Sequence, residues 1–297
     1  MEIRWLQAFV AVAEELHFGR AADRLHMAQS PLSQTIRKLE KDVGVPLFER
    51  NTRSVALTAA GHALLPHAYR VLDGVDTARH AIRASEGGVY GHLRIGFTGV
   101  LNHQALPPLT RALRQRYPDI ELSLVGRTMT RDAVVQIDSG AMDLAFVGLP
   151  VDTSLANARL IRREPYGAVL PADHPLAGRA RIDLRELADD DFISTPSNAG
   201  SSLQEIAFQA CVDAGFRPRV VQEITDPYMM LMLVAAGVGV ALMPETMAGL
   251  TPPGAVLVQL SGDPVLMNHA IAWPKGDPSP ALVVALDVAD DVLPTPI

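Results

Sequence analysis

Cysteine is almost missing: Cys211 is the single one in 297 residues. One thiol excludes an internal disulfide framework and fits a reducing compartment. It falls between Ala210 and Val212 in a helical pattern, which favours a buried structural thiol over a redox switch. No run of 18 or more apolar residues occurs, so no transmembrane helix is expected. The opening MEIRWLQAFVAVAEELHFGR alternates apolar with charged residues and leads to no small-residue cleavage site, unlike a signal peptide. A cytoplasmic location with no membrane contact is expected. HExxH, GxSxG, CxxC and the phosphate-binding loop are all absent. His103, His174 and His269 are scattered with no metal partner near them in sequence, and His62, His67 and His80 belong to one long helix. Asp189, Asp190 and Asp191 are contiguous, so they cannot share a face and read as a solvated turn. Neither an enzyme, nor a cofactor, nor a metal site is expected.

An excess of positive charge is missing too, since the net charge is −7. Divided, it looks different. Residues 1–87 hold 11 Lys+Arg against 10 Asp+Glu; residues 88–297 hold 15 against 23. The acidity belongs to the second part. A near-neutral first part still binds phosphates where its bases are clustered, because binding follows local field and counterion release. The length leaves room for two or three domains, and 48% apolar with 20% charged residues is ordinary globular composition.

What is present begins with QSPLSQTIRKLEKDVG, residues 29–44. Leu32, Ile36, Leu39 and Val43 recur at helical spacing. Ser30, Ser33, Gln34, Arg37 and Lys41 lie on the opposite side of the same cylinder, a set of amides, hydroxyls and bases suited to base edges and phosphates in a major groove. Ser30 with Pro31 reads as N-cap and first turn, and Gly44 as the stop. Upstream, Ile3, Leu6, Phe9, Val10 and Val12 mark a first helix. A second starts near Phe18–Gly19 with Arg20 in its first turn, and Ala21 and Ala22 let the helices cross closely. Two short helices and a tight turn predict a helix-turn-helix. Downstream, Pro46 breaks the helix, Leu47 and Phe48 pack beneath it, and residues 50–54, RNTRS, form a turn between two extended segments. This is a wing whose Arg50 and Arg53 reach phosphates or the minor groove.

The block FGRAADRLHMAQSPLSQTIRKLEKDVGVPLFERNTRSVALTAAG, Phe18 to Gly61, resembles the LysR-type transcriptional regulators. The likeness continues, more weakly, to the C-terminus. One departure is Ala28, where many members carry a serine that caps the recognition helix; Ser30 is the candidate replacement. From Thr58 a helix is predicted to about Ser85, with Leu64, Leu65, Ala68, Val71, Leu72, Val75, Ala78 and Ile82 on one face. Pairing with a second copy buries that face; packing on its own second domain is the alternative. The resemblance implies pairing, as a dimer arm, with homodimers or homotetramers as the assembly. Glu86-Gly87-Gly88 is the expected hinge.

From His92 the texture changes to alternating strands and helices. Strands are predicted at His92–Phe97, Ile120–Val125, Asp143–Val147, Tyr166–Leu170, Asp191–Ser194, Val220–Ile224, Val238–Met243, Val256–Leu260 and Asn268–Trp273. Helices are predicted at Leu106–Arg116, Thr130–Ser139, Ser201–Ala214, Tyr228–Ala236 and Ala281–Val292. This alternation implies parallel sheets in two lobes crossed by two strands, with a ligand at the strand ends between them. The resemblance implies the same: a fold similar to periplasmic solute-binding proteins.

The expected architecture is therefore a winged helix-turn-helix (1–58), a linker helix and hinge (59–87), and a two-lobed α/β effector domain (88–297). Lobe I comprises 91–161 plus 267–297, and lobe II 162–266. The expected DNA-binding residues are Arg20, Gln29, Ser30, Ser33, Gln34, Arg37, Lys38, Lys41, Arg50 and Arg53. Ser33, Gln34 and Arg37 are expected to read bases; Arg20, Lys38, Lys41 and the wing arginines are expected to fix register on phosphates. The expected effector-binding residues are Thr98, Gly99, Val100, Arg127, Thr128, Ser201, Ser202, Leu203, Thr225 and Asp226. Arg127 favours a small anionic or carboxylate effector, with that arginine as counter-ion; a solvated surface arginine is the alternative. The Ser/Asn/Gly run at 197–202 opens a helix whose free N–H groups receive an anion, although helix capping also explains it. The implied function is sequence-specific binding of double-stranded promoter DNA, modulated by a small-molecule effector, with RNA polymerase as a candidate partner. The alternative is a cytoplasmic solute-binding or enzymatic α/β protein with an incidental N-terminal helical domain.

Overall fold

The computed structural model describes residues 1–50, 55–84 and 89–296; for residues 50, 73, 76, 77, 79–84 and 100 it describes the backbone alone. The wing turn with Arg53 and the hinge at 86–88 lie outside the described residues, as do the side chains of Arg50 and Val100. The chain forms two compact units, Met1–Gly91 with Asp138–Ala141, and His92–Ile137 with Met142–Ile297.

In the first unit α1 (Ile3–Glu15), α2 (Phe18–Arg24) and α3 (Gln29–Val43) precede a two-stranded antiparallel ribbon, β1 (Phe48–Arg50) and β2 (Val55–Leu57), and the long α4 (Ala59–Ala84). The apolar spacing dictates the packing. Leu32, Ile36 and Leu39 of α3 are fully buried, as is Phe9 of α1, and Ala21 and Ala22 lie where α2 crosses its neighbours. Phe48 closes this core, its ring 5.4 Å from Phe9 and 6.0 Å from Phe18. Glu40 of α3 accepts the amides of Leu47 (3.0 Å) and Phe48 (3.3 Å), which fixes the ribbon to the helix. Gly44 ends α3 in the left-handed conformation at φ 81°. The first turns of α4 belong to the same core: Ala68 and Tyr69 are buried, with Leu64, Leu65 and Leu72 packed against it. Thr58 accepts the Gly61 amide at 3.0 Å and starts that helix.

One expectation fails here. Ser30 does not cap α3. The helix begins at Gln29, Ala28 occupies the capping position, and no side chain caps it. Pro31 lacks an N–H, so the first turn has one donor fewer to satisfy, and Ser30 is already helical.

The second unit contains β3 (Gly91–Gly96), α5 (Leu106–Arg116), β4 (Ile120–Val125), α6 (Thr130–Asp138), β5 (Leu144–Gly148), β6 (Ala156–Pro171), β7 (Arg181–Ile182), β8 (Asp191–Ser194), α7 (Ser202–Asp213), β9 (Arg219–Glu223), α8 (Pro227–Ala235), β10 (Ala241–Pro244), β11 (Ala255–Leu260), β12 (Leu266–Pro274) and α9 (Pro280–Val292). The strand order is β4-β3-β5-β12-β6-β11-β7, with β10 also on β6 and a separate parallel pair β8-β9. β3 and β5 are parallel, whereas β12 runs antiparallel to both β5 and β6. β6 and β12 are the two crossing strands. The first half of β6 pairs with β12, and its second half with β10 and β11.

The strand predicted at Tyr166–Leu170 is thus only the end of a 16-residue one. Its first half, ANARLIRRE, alternates only as far as Leu160 before the pattern breaks at Ile161 and Arg162-Arg163, and it is mostly half-exposed, so its pairing with β12 defines it. Apolar cores lie on either side: Ala133, Ile137, Met142 and Ala145 in one lobe, Tyr166, Leu187, Leu231 and Met243 in the other.

Candidate functional site

The first candidate surface is the outer face of α3. With Leu32, Ile36 and Leu39 at 0% exposure beneath it, the helix can turn only its other side to solvent. Gln29, Ser30, Gln34, Arg37, Lys38 and Lys41 are all exposed, and Ser33 is half-buried at the edge. Arg37, Lys38 and Lys41 form no ion pair among the described residues, so their charge is uncompensated. The ribbon after α3 carries Arg50 at the end of β1.

Arg20 is differently placed. It lies in the first turn of α2, which His17 caps: the His17 Nδ1 accepts the amides of Gly19 (3.0 Å) and Arg20 (3.2 Å). The imidazole folds so closely over Gly19 that a Cβ there would stand 2.9 Å from its Cε1. Arg20 is not a free cation like Arg37. Its Nε bonds the Glu15 carboxylate at 3.1 Å and its guanidinium also donates to the Glu15 carbonyl.

The second candidate is a cavity of about 20 Å³ between the lobes, lined by Thr98, Leu101, Asn102, Met129, Thr130, Phe146, Val147, Gly148, Ser201, Ser202, Leu203 and Met267. That volume holds about one water molecule. The reason is a set of bonds across it. Ser202, at the start of α7, donates to Thr130 Oγ1 (3.0 Å) and to the Gly148 carbonyl (3.2 Å). Thr130 also accepts the Gly148 amide at 3.1 Å. The approach needs a glycine: a Cβ on Gly148 would lie 2.5 Å from the Ser202 Cβ. Ser201, the residue before α7, caps nothing with its side chain, is 6% exposed, and its hydroxyl makes no hydrogen bond among the described residues. Thr98 is already engaged, its amide bonded to Asn102 Oδ1 (2.7 Å) and its hydroxyl to the Thr128 carbonyl (2.7 Å). Tyr166 steadies the opposite wall by donating to the Leu203 carbonyl at 3.2 Å.

Of the sequence-predicted effector residues, the structure brings Thr98, Ser201, Ser202 and Leu203 together. Arg127 does not join them. It is exposed, with φ 60°, and no basic side chain is among the cavity's lining residues. Thr128 is buried behind the cavity, its hydroxyl bonded to the Val125 carbonyl at 2.9 Å. Gly99 sits exposed in the short 3-10 turn with Val100. Asp226 caps α8 by accepting the Tyr228 and Met229 amides, and neither it nor the exposed Thr225 lines the cavity. Sequence reasoning missed Asn102, Thr130 and Gly148. Thr130 carried a usable signal, a hydroxyl opening the helix after the second strand, the same feature that marked Ser201. Met267 carried none, because β12 reaches the cleft only through the crossing.

Across the crossing strands, buried Glu164 on β6 bonds His269 Nε2 at 2.9 Å and accepts the Thr246 amide at 2.6 Å. Burial pushes this carboxyl up, yet the hydrogen bonds from His269 and Thr246 outweigh it and hold the carboxyl below its ordinary range. Among the described residues no group of three His, Cys, Asp or Glu is placed to hold a metal, and no helix is long and apolar enough to cross a membrane.

Known proteins match both units. Residues 3–62 match the family model for the bacterial regulatory helix-turn-helix protein of the lysR family, and residues 86–293 match the LysR substrate binding domain. The HTH-type transcriptional regulator ShiR of Corynebacterium glutamicum strain R is 49% identical over 292 residues, 98% of this chain and 99% of the relative. AlsR of Bacillus subtilis, also an HTH-type transcriptional regulator, is 38% identical over 250 residues, 83% of this chain and 81% of the relative. Among solved structures, the LysR family transcriptional regulator CbnR superposes with a TM-score of 0.74 at 25% identity, covering 99% of each chain. Full-length CbnR complexed with its target DNA gives 0.73 at 26% identity, covering 98% of this chain and 100% of that one. With a DNA-binding unit and an effector-binding unit both matched, the chain belongs to the LysR family of transcriptional regulators, which bind promoter DNA and small-molecule effectors, self-associate and are not enzymes.

Proposed function

We propose that this regulator reads its promoter through Gln29, Ser30, Ser33, Gln34 and Arg37 on α3, with Arg20, Lys38, Lys41, Arg50 and Arg53 on the phosphates. The observation that carries this is the exposed, unpaired polar face of α3 above a fully buried apolar stripe. Bidentate arginine and amide contacts give base discrimination, while point charges on phosphates give position and salt dependence. Residues 1–58 form the reading head and residues 59–87 the dimerisation arm and hinge. Residues 88–297 form the effector domain, with lobe I at 91–161 plus 267–297 and lobe II at 162–266. The arm leaves Val71 47% exposed, an apolar group that a second copy would cover on the way to a homodimer or homotetramer. The chain acts in the cytoplasm, where RNA polymerase is its further partner.

For the effector we propose a small carboxylate in the interlobe cleft. Ser201, with its free hydroxyl, and Ser202 and Leu203, which open the 12-residue α7, line the cavity, and a helix start suits one anionic group. Helix N-terminal amides, not Arg127, supply the compensating charge. An effector enters only where it replaces the bonds of Ser202 to Thr130 and Gly148, so its binding is tied to lobe separation, and it shifts DNA binding only by favouring one arrangement of the lobes. Thermal-shift measurements on the full chain with pyruvate, succinate and benzoate test this. An anion that raises the melting temperature of the wild type, and does so less with Ser201→Ala, supports the assignment. An equal rise in both proteins contradicts it.

A further inference from the structure

The C-terminal end of α1 carries two adjacent acids, and both reach the arginines of α2. Glu15 holds Arg20 through its carboxylate (Nε to Oε2, 3.1 Å) and through its backbone carbonyl, and the same carboxylate lies 3.7 Å from Arg24. Glu14 bonds Arg24 and is fixed from the other side by the buried Tyr69 of α4, whose hydroxyl donates to it at 2.8 Å. The two acids differ in consequence. Glu14 is clamped between α2 and the arm. Glu15 neutralises a guanidinium that is 61% exposed at the edge of the helix-turn-helix, on the residue that sequence reasoning assigned to phosphate.

We infer that Glu15 is an internal competitor of DNA phosphate for Arg20, a residue that sets the affinity and salt dependence of DNA binding without touching DNA. This rests on the reading of Arg20 as a backbone contact given above. A guanidinium shared with a carboxylate and a helix-terminal carbonyl forms a phosphate contact only by exchanging one anionic partner for another, so the net number of counterions released on binding falls by about one. Exposed pairs of this kind are weak, which keeps the exchange reversible. The effect lowers affinity for all DNA, including the large excess of non-specific sites that compete with the promoter.

The test is a salt titration of the full chain on a random-sequence duplex. With Glu15→Gln, binding tightens about two- to fivefold and the slope of log affinity against log salt steepens by about 0.9. The gain disappears in Glu15→Gln/Arg20→Ala. Asp23→Asn supplies the control for net charge, since Asp23 is exposed on the same helix and is not paired with Arg20; it leaves the slope unchanged. Wild-type behaviour of Glu15→Gln, an equal gain with Asp23→Asn, or a gain that survives loss of Arg20 overturns the competition. Arg37→Ala on the chain's own upstream duplex separates the two levels. If it weakens binding while Glu15→Gln acts as wild type, the competition alone fails; if it too has no effect, the DNA-reading surface fails and the competition falls with it.

Discussion

Buried Glu164 shows how single groups report on the effector unit. Its folded pKa is lowered from the ordinary glutamate value because the hydrogen bonds from His269 and Thr246 to the charged form outweigh burial. The stabilisation is therefore fully present above about pH 4.5 and is lost as pH falls through the lowered folded value. Glu164→Gln is expected to lower stability at pH 7 by roughly 1–3 kcal/mol and to flatten the loss of stability below pH 4.5, read by urea unfolding at a series of pH values. An acid limb as steep as that of the wild type contradicts the pairing. Cys211 makes the opposite case. It is 1% exposed, and burial pushes its thiol up to about 12. At pH 8 it is expected to react with a disulfide reagent only as fast as the fold opens, whereas an exposed thiol of ordinary pKa reacts within the mixing time. Its sequence setting among apolar residues already announced a structural thiol. The Glu164–His269 pair was not legible, because 105 positions separate the partners and only the strand crossing brings them together.

At the scale of elements, legibility followed periodicity. α3 announces itself because Leu32, Ile36 and Leu39 return every three to four residues and Gly44 ends the run. α5 and β4 were readable with their bounds for the same reason, each bearing its own pattern and stop. The first half of β6 was not readable, since its faces are equally half-exposed. Ser30 is the right residue type for a cap but stands two residues past the capping position, Ala28. In the cleft, hydroxyls at helix starts were visible as Ser201 and Ser202. The position of Arg127 was not legible, because a charge says nothing of direction; its side chain is exposed and does not line the cavity. The wing makes its own prediction. Arg53→Ala is expected to reduce the salt slope of duplex binding by about 0.9 with little change in sequence preference, the behaviour of a phosphate contact. A changed preference at one base pair with an unaltered slope would assign it to base reading instead.

For the whole molecule the division of labour follows from where charge and apolar surface lie. The acidic excess belongs to residues 88–297 of the sequence, so a chain of net charge −7 still presents unpaired cations on α3. In the function proposed above, pairing through α4 brings the second reading helix that a partly palindromic site requires. Among the described residues the cleft is bridged by Ser202 to Thr130 and Gly148, by the Arg131 amide to the Gly200 carbonyl at 3.3 Å, and by the exposed Arg131–Glu205 ion pair at 3.5 Å. Such a contact set is small enough for a bound anion to replace. The most direct measurement is the affinity of the wild type and of Arg37→Ala for the chain's own upstream duplex at fixed salt. A loss of about 1–3 kcal/mol with relaxed preference at one base pair is the expected result; unchanged affinity and unchanged preference would remove α3 from the DNA.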